Sequence, residues 1–565
     1  MKRILTILNN FLIQPPQWRD AFLLILFTIL ITANPYYLNN QINTYELGLY
    51  LPGINGIEHG MVPYRDFFHL RGPLELYIPV WLMGIFGTHL GVLCAYFFVG
   101  NVLCLVFVVL IAREIIRSRF ILYMMIPVII ARTFPRVCYM NWGGMRYALG
   151  LMAVFCFIRF LKNYRIGWVV GAGLLAAWAG LTSVEMGVFP AVAIVMTLVM
   201  SWWKRLIEGK IAWRALIFFM GSLILGVFPW IIYSLQQQAF ILYIDSIWSI
   251  ATRLQTVINL HLIDISPSNF SEAFVAMINP SSVNFKQMTP SYTYVFLLAY
   301  LIFHWRRKTW GARELSVLVL GGFGFLMYNT AFRAILASQF EMALMPEKIL
   351  YFVLIEVFVL WVWKKNYQAN SWKKLVIAVC LTGLFISSLA YAFARYSNRF
   401  WSVQSGRQIF SGKESKYYKF ANPNVPYEQL TIERAKGIWV PVEQAGELKI
   451  LNDFILKKSQ SSDIFVMYPE EGMYNFLFDR PFLGRFPFCT LSWINDDWFN
   501  EYFKDFSELK AKFVIVRKEY SEVWNKVTLG YRPSKIKHEE ILRVIKKSYV
   551  MVRETPKSWI FERKF

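Results

Sequence analysis

The stretch Gly72–Gly87, "GPLELYIPVWLMGIFG", can be read as a membrane span or as a helix lying at the membrane surface, and the choice sets the sidedness of all that follows. It is short, with Glu75 near its start and Pro79 inside it. Apolar segments of about 10 to 14 residues are more often interfacial or re-entrant than spanning. If it crossed, "REIIRSR" (113–119) and each later basic cluster would lie opposite the basic N-terminus "MKR". If it lies in the interface, "REIIRSR", "RFLKNYR" (159–165), "KRLIEGKIAWR" (204–214), "RRKTWGAR" (306–313) and "KKNYQANSWKK" (364–374) all share the side of "MKR". Cytoplasmic loops gather Lys and Arg in this way, so the stretch is read as interfacial.

The whole chain fits a membrane solvent. Its 565 residues are 56% hydrophobic and 18% aromatic, with a mean hydropathy of +0.40. Soluble domains hold roughly 45–50% apolar residues. Apolar runs lie near 21–33, 90–111, 120–131, 147–161, 167–181, 186–203, 215–235, 291–304, 315–331, 349–363 and 375–394. About eleven transmembrane helices are expected, most near the ~20 residues that cross a bilayer core. The first run lacks a small-residue cleavage site and reads as a retained span rather than a signal peptide. The formal charge of +23 sits in the short clusters between apolar runs, and no folded basic module accompanies it. Nucleic acid is therefore not an expected partner. Four of the six cysteines lie in apolar runs, Cys138 and Cys489 are isolated, and no CxxC pair occurs. Zinc and disulfide roles are not expected.

The interfacial reading leaves long loops on the non-cytoplasmic side: 34–89, 132–146, 237–289 and 332–348. The chain from 396 to 565 follows on the same side, separate from a transmembrane domain over 1–395. Its composition turns charged, with strand-like "DIFVMY" (463–468) and "KFVIVR" (512–517), a helical "EQAGELKILNDFILKK" (443–458) and a terminal hairpin. A small extracytoplasmic α/β domain is expected there. In loop 237–289, "SIWSIATRLQTVINL" has the spacing of an amphipathic surface helix. No internal repeat is visible, and repeated halves with mid-membrane polar residues are the mark of transporters. A lipid or polysaccharide flippase, or a non-catalytic assembly protein, is accordingly the secondary reading.

The loop 34–89 concentrates chemistry: Glu46, Glu58, Asp66 and Glu75 stand with Arg65, Arg71, His59 and His69. Polar groups held near a bilayer are costly and are often functional. A lipid-phosphate leaving group is weakly basic, so it needs cations or amide donors rather than a general acid. The attacking hydroxyl needs one base, and inversion at a sugar carbon calls for no nucleophile. Glu46 or Asp66 as base, with Arg65, Arg71, Arg146 or Arg333 for the phosphate, is the minimal outfit.

The runs "ELGLY" (46–50), "GIEHGMVPYRDFF" (56–68) and "RGPLELYIPVWLMGIFG" (71–87) resemble the first external loop of bacterial GT-C membrane glycosyltransferases, the group related to protein O-mannosyltransferases and aminoarabinose transferases. "NWGGMRYALGL" (141–151), "GLTSVEMGVFP" (180–190), "AFRAILASQFEMALMPEKIL" (331–350) and "DIFVMYPEEGMYNFLFDRPFLGRFPF" (463–488) extend the likeness more loosely. The resemblance implies a GT-C-like helical membrane fold with interfacial helices in the first loop. It implies a polyprenyl-phosphate sugar donor, a glycan, lipid or glycolipid acceptor of the cell envelope, and action on the outer side of a bacterial inner membrane. It puts Glu46 where the family carries a catalytic aspartate, with Leu47 in place of the usual second acid. Asp66 is the alternative base. Arg333 and Arg146 become donor-phosphate ligands, while His69 and Glu185 are supporting residues. No metal ligand is assigned. A divalent cation is left open, weakened by the missing acid because hard cations take several oxygens.

Overall fold

The computed structural model describes residues 11–32, 47–133, 144–254, 275, 278–279, 289–331, 342–366, 371–396, 401–411, 424–469, 472–487, 491, 494–508, 510–520, 525, 529–530 and 532–564. Each apolar run coincides with a helix. In chain order, with the loop helices included, these are α1 (Trp18–Thr32), α2 (Leu51–Glu58), α3 (Leu74–Phe86), α4 (Leu90–Ile115), α5 (Arg119–Thr133), α6 (Met145–Asn163), α7 (Ile166–Thr182) and α8 (Val184–Trp203). There follow α9 (Gly209–Gln236), α10 (Phe240–Ser249), α11 (Pro290–Arg306), α12 (Ala312–Ala331), α13 (Met345–Asn366), α14 (Ser371–Tyr396) and α15 (Trp401–Ser411). Among the described residues three helices, α4, α8 and α9, have by themselves the length and apolarity to cross a membrane. The expected count of eleven spans is not reached on that criterion.

The disputed stretch forms α3, bounded by Pro73 and by Gly87, which takes a left-handed φ of 93°. Its 13 residues reach only about 20 Å at ~1.5 Å per residue, short of a bilayer core of ~30 Å. One face, with Glu75, Leu76, Pro79 and Met83, is buried, whereas Trp81, Ile85 and Phe86 are exposed.

The ends of the neighbouring helices decide the matter. Trp18, opening α1, lies under the Arg113 guanidinium at 3.9 Å, and Asp20 pairs with Arg119 at 2.7 Å. Glu114 binds Arg159 at 3.0 Å and Lys162 at 2.7 Å. Arg313 donates from Nε to the Ile115 carbonyl at 3.0 Å and pairs with Glu356, which also accepts from the backbone N–H groups of Arg117 and Ser118. Lys204 stands 3.8 Å from the centre of the Trp305 ring. Thus the start of α1 and four of the five basic clusters meet at one end of the bundle. Since α1 leaves that end and α4 returns to it, the intervening α3 makes no net crossing.

Beyond α15 the described chain folds around a four-stranded sheet. The strands are β3 (Phe465–Tyr468), β4 (Phe513–Arg517), β5 (Tyr549–Glu554) and β6 (Ser558–Arg563), in the order β3-β4-β6-β5. The β3 and β4 strands, both buried, pair in parallel, and the terminal hairpin adds antiparallel to β4. A small ribbon, β1 (Tyr427–Gln429) with β2 (Trp439–Pro441), precedes the helix α16 (Val442–Lys458). This unit is seated on the first loop. Phe68 donates its N–H to the Arg485 carbonyl at 2.7 Å and packs its ring 4.6 Å from that of Trp498. Arg434 reaches Asn55 at 2.7 Å and Glu58 at 3.6 Å, and His89 bonds the Lys436 carbonyl at 2.9 Å.

Candidate active site

The end of the bundle remote from the basic clusters holds the first loop, the start of α6 and the turn between α7 and α8. That turn is tight: a Cβ on Gly187 would sit 2.5 Å from the Gly180 Cα, so only glycine lets the two helices approach there. Ser183 closes it by donating to Glu185 at 2.6 Å.

The "RGP" of the first loop docks on this turn. Gly72 donates its N–H to the Thr182 carbonyl at 2.9 Å, and a Cβ on Gly72 would lie 2.1 Å from the Leu181 oxygen. Pro73 then supplies the fixed φ that opens α3. Tyr64 donates its hydroxyl to the Arg71 carbonyl, pinning the residue before Gly72. The backbone that carries Arg71 and Glu75 is therefore held on two sides by groups outside α3.

Arg71 and Glu75 meet a ring of aromatic and charged groups. The Arg71 guanidinium lies 5.7 Å from the Tyr50 ring centre. Glu75 is fully buried, and burial pushes its carboxyl from the ordinary 4.5 up to about 7. Arg71 and the Tyr50 hydroxyl oppose that rise, while Glu185 adds to it. Tyr147 sits in the fields of Arg71, Glu185 and Glu75 together, and Arg146, also buried, covers the Tyr147 ring at 4.8 Å. His69 is buried beside Tyr50, and desolvation with the nearby Arg71 charge brings it down to about 3. Its imidazole is neutral at physiological pH, so it can give or take a hydrogen bond but adds no positive charge.

The sequence candidates divide accordingly. Arg71, Arg146, Glu185 and His69 come together around Tyr50 and Tyr147. Arg65 and Asp66 instead grip each other through two hydrogen bonds of 2.8 and 2.7 Å. Asp66 also accepts from the Val62 N–H at 2.7 Å, and Arg65 reaches the Gln237 carbonyl at 3.3 Å. The Arg65 hydrogen bonds hold the Asp66 carboxyl below the usual range, which makes it a weaker base. Glu46 and Arg333 lie outside the described residues. Leu47, in the place of the second acid, is fully buried. The segments flanking Arg333 are polar: Lys348 pairs with Glu347 at 2.9 Å, Thr293 donates to the same carboxylate, and Ser291 bonds Tyr328 at 2.9 Å. Among the described residues no three His, Cys, Asp or Glu side chains are grouped as a metal ion would need.

Sequence reasoning counted Glu75 among the loop acids without giving it a role, and it passed over Tyr50 and Tyr147. The signal for Glu75 was an acid in the first turn of an apolar interfacial helix, four residues after Arg71. For the two tyrosines no signal existed, because aromatic residues are common throughout the chain.

No protein-family model and no curated protein matches the sequence. Solved structures do match. ArnT from Cupriavidus metallidurans, bound to undecaprenyl phosphate, aligns over 96% of this chain and 97% of its own at 11% identity, with a TM-score of 0.53. The Archaeoglobus fulgidus oligosaccharyltransferase, tethered to an acceptor peptide with an NVT sequon, aligns over 97% of this chain and 74% of its own at 10% identity, with a TM-score of 0.52. Both alignments take in nearly the whole of this chain, and it shares the fold of these two proteins.

Proposed function

We propose that this protein is an inverting glycosyltransferase that moves a sugar from a polyprenyl-phosphate donor to a hydroxyl of a cell-envelope glycan, lipid or glycolipid. It works on the non-cytoplasmic face of a bacterial inner membrane, with the domain over 396–565 on that face. The observation that carries this reading is the convergence of Arg71 and Arg146 in one buried cluster with acids and tyrosines, at the end opposite the basic clusters. A buried arginine, Arg146, and a half-buried one, Arg71, beside an apolar surface helix suit a phosphate whose lipid tail stays in the bilayer.

Glu46 takes the proton of the acceptor hydroxyl, whose oxygen attacks the anomeric carbon from the face opposite the phosphate. The bond from that carbon to the phosphate oxygen breaks, and the electron pair leaves with the lipid phosphate. Arg71 and Arg146 stabilise the charge that develops there, and Arg333 completes the donor-phosphate set, from which Arg65 drops out because Asp66 and Gln237 hold its guanidinium. Support for Glu46 over Asp66 comes from the Arg65 pairing, which leaves Asp66 less basic. Hydrogen bonds to charged groups contribute about 1.5–3 kcal/mol each, so loss of Arg71 should weaken lipid-phosphate binding by roughly ten- to a hundredfold.

The test is turnover of polyprenyl-phosphate sugars by purified protein in lipid. Glu46→Gln should lower the rate by roughly 10²–10⁴, the usual worth of a general base, while Asp66→Asn should keep most of it. The reverse pattern would move the base to Asp66. Normal turnover by both variants would overturn the mechanism. Turnover in the presence and absence of EDTA decides whether a divalent cation takes part.

A further inference from the structure

Seven acids are buried among the described residues: Asp20, Glu75, Glu114, Glu314, Glu347, Glu356 and Glu447. Six of them meet donors. Asp20 has Arg119, Glu114 has Lys162, and Glu314 accepts from the Gly311 N–H at 3.0 Å. Glu347 has Lys348, Glu356 has the Ser118 N–H, and Glu447 accepts from Thr555 at 2.7 Å. Glu75 differs. Neither of its oxygens has a partner at ordinary hydrogen-bond distance among the described residues, the Tyr50 hydroxyl acts on it only from farther off, and no ion pair ties it to any of them.

A carboxylate offers about four lone-pair positions and, when ionised, no donor of its own. Leaving it buried without partners is unfavourable, so its place in the fold calls for a ligand that brings donors. Two ligand chemistries could do so, an amine or a set of hydroxyls. The neighbours choose between them. Arg71 lies close enough to act on Glu75 electrostatically, and Arg146 stands over Tyr147 in the same cluster. Two arginines disfavour a cation and suit a phosphate. Tyr50, Tyr96 and Tyr147 all surround Glu75 within electrostatic reach, and Phe97 packs on Tyr50 at 5.0 Å. Aromatic faces beside a free carboxylate take a molecule that has apolar C–H faces and hydroxyl edges.

We infer that Glu75 is a specificity-determining residue that accepts hydrogen bonds from hydroxyls of the donor's sugar, next to the arginines that take its phosphate. The inference rests on the glycosyltransferase reading above. It adds that the sugar is read from α3, by a residue one helical turn beyond Arg71. The lipid phosphate without its sugar does not touch Glu75.

The test separates carrier from sugar. Affinities of the full-length protein in detergent are measured by calorimetry for undecaprenyl phosphate and for its mannosyl, glucosyl and arabinosyl derivatives, in wild type, Glu75→Gln and Glu75→Leu. The expected result is that wild type binds at least one glycosylated carrier more tightly than the bare one. Glu75→Gln should keep bare-carrier affinity within about twofold and cut the advantage of the sugar about tenfold, and Glu75→Leu should abolish it. An unchanged sugar advantage in both variants would overturn the inference. So would an equal fall for both carriers, because Glu75 would then act through Arg71, and so would a wild type that gains nothing from any of the three sugars. A wild type that fails to bind undecaprenyl phosphate refutes the underlying glycosyltransferase reading, a result distinct from the others.

Discussion

Replacing Glu75 by glutamine removes a titration while keeping the size and shape of the side chain, so its effect on stability can be calculated with its sign. Burial lifts the folded-state pKa from 4.5 to about 7. Between those values the folded chain holds a proton that the unfolded chain has released, so stability falls as pH rises through the window. Below about pH 4.5 both states are protonated and the penalty vanishes. Above about pH 7 it is complete, and a shift of ~2.5 units amounts to about 3 kcal/mol. Glu75→Gln should match wild type at pH 4.5 and be more stable by about 3 kcal/mol at pH 8. With an unfolding entropy of about 2 cal/mol/K per residue, this corresponds to a rise in melting temperature of about 2–3 °C. Tryptophan fluorescence during a thermal ramp in detergent reads the shift, and the chain's 21 tryptophans give ample signal. A gain of the same size at both pH values would mean that the glutamine simply packs better. No gain at pH 8 would mean that the carboxyl is not the strained group described here.

Two further outcomes follow from the docking of the first loop. Gly72→Ala puts a Cβ about where the Leu181 oxygen lies, which only a shift of α3 away from the α7 end can relieve. Melting temperature and transfer rate should both fall, and a variant with wild-type values would refute the close approach. Arg434→Ala removes the ties from the C-terminal unit to Asn55 and Glu58, and leaves the Asn55 amide oxygen without that donor. Its cost should be about 1–3 kcal/mol, seen as faster limited proteolysis of the C-terminal unit in native membranes, whereas unchanged proteolysis would show that the contact does not hold the unit in place.

Much of this fold was written in pattern, because a bilayer permits few backbone solutions and a long apolar run has only one. The basic clusters were expected to share one side, and the ion pairs of Glu114, Asp20 and Glu356 gather them at one end of the bundle. The strands at 465–468 and 513–517 were legible for a different reason, being short continuous apolar runs in an otherwise charged segment. Span number was less legible, since helices such as α7 are only 17 residues long and bury themselves against neighbours as much as they face lipid. The site was legible in its arginines and opaque in its acids. Asp66 beside Arg65 could have been base or brace, and only coordinates reveal two hydrogen bonds between adjacent side chains. Tyr50, Arg71, Tyr147 and Glu185 span more than 130 positions, a distance that no local pattern bridges.

The two ends of the bundle obey the same electrostatics with opposite results. At the basic end each buried acid is matched by arginine, lysine or backbone donors, an arrangement that fixes helix ends and asks nothing of a ligand. Breaking such a pair would leave a buried charge behind, which explains why these groups are tied so thoroughly. At the other end Glu75 is kept buried at a net loss of stability, on a helix too short to belong to the spanning scaffold, with its backbone fixed by Tyr64 and Thr182. A fold that satisfies six buried acids has the means to satisfy a seventh, and a single substitution to leucine would remove the problem. That the carboxyl stays, clamped in place and short of donors among the described residues, fits a residue whose partners arrive with the substrate. Stability and specificity then trade against each other at one side chain, and the glutamine variant should gain the first as it loses the second.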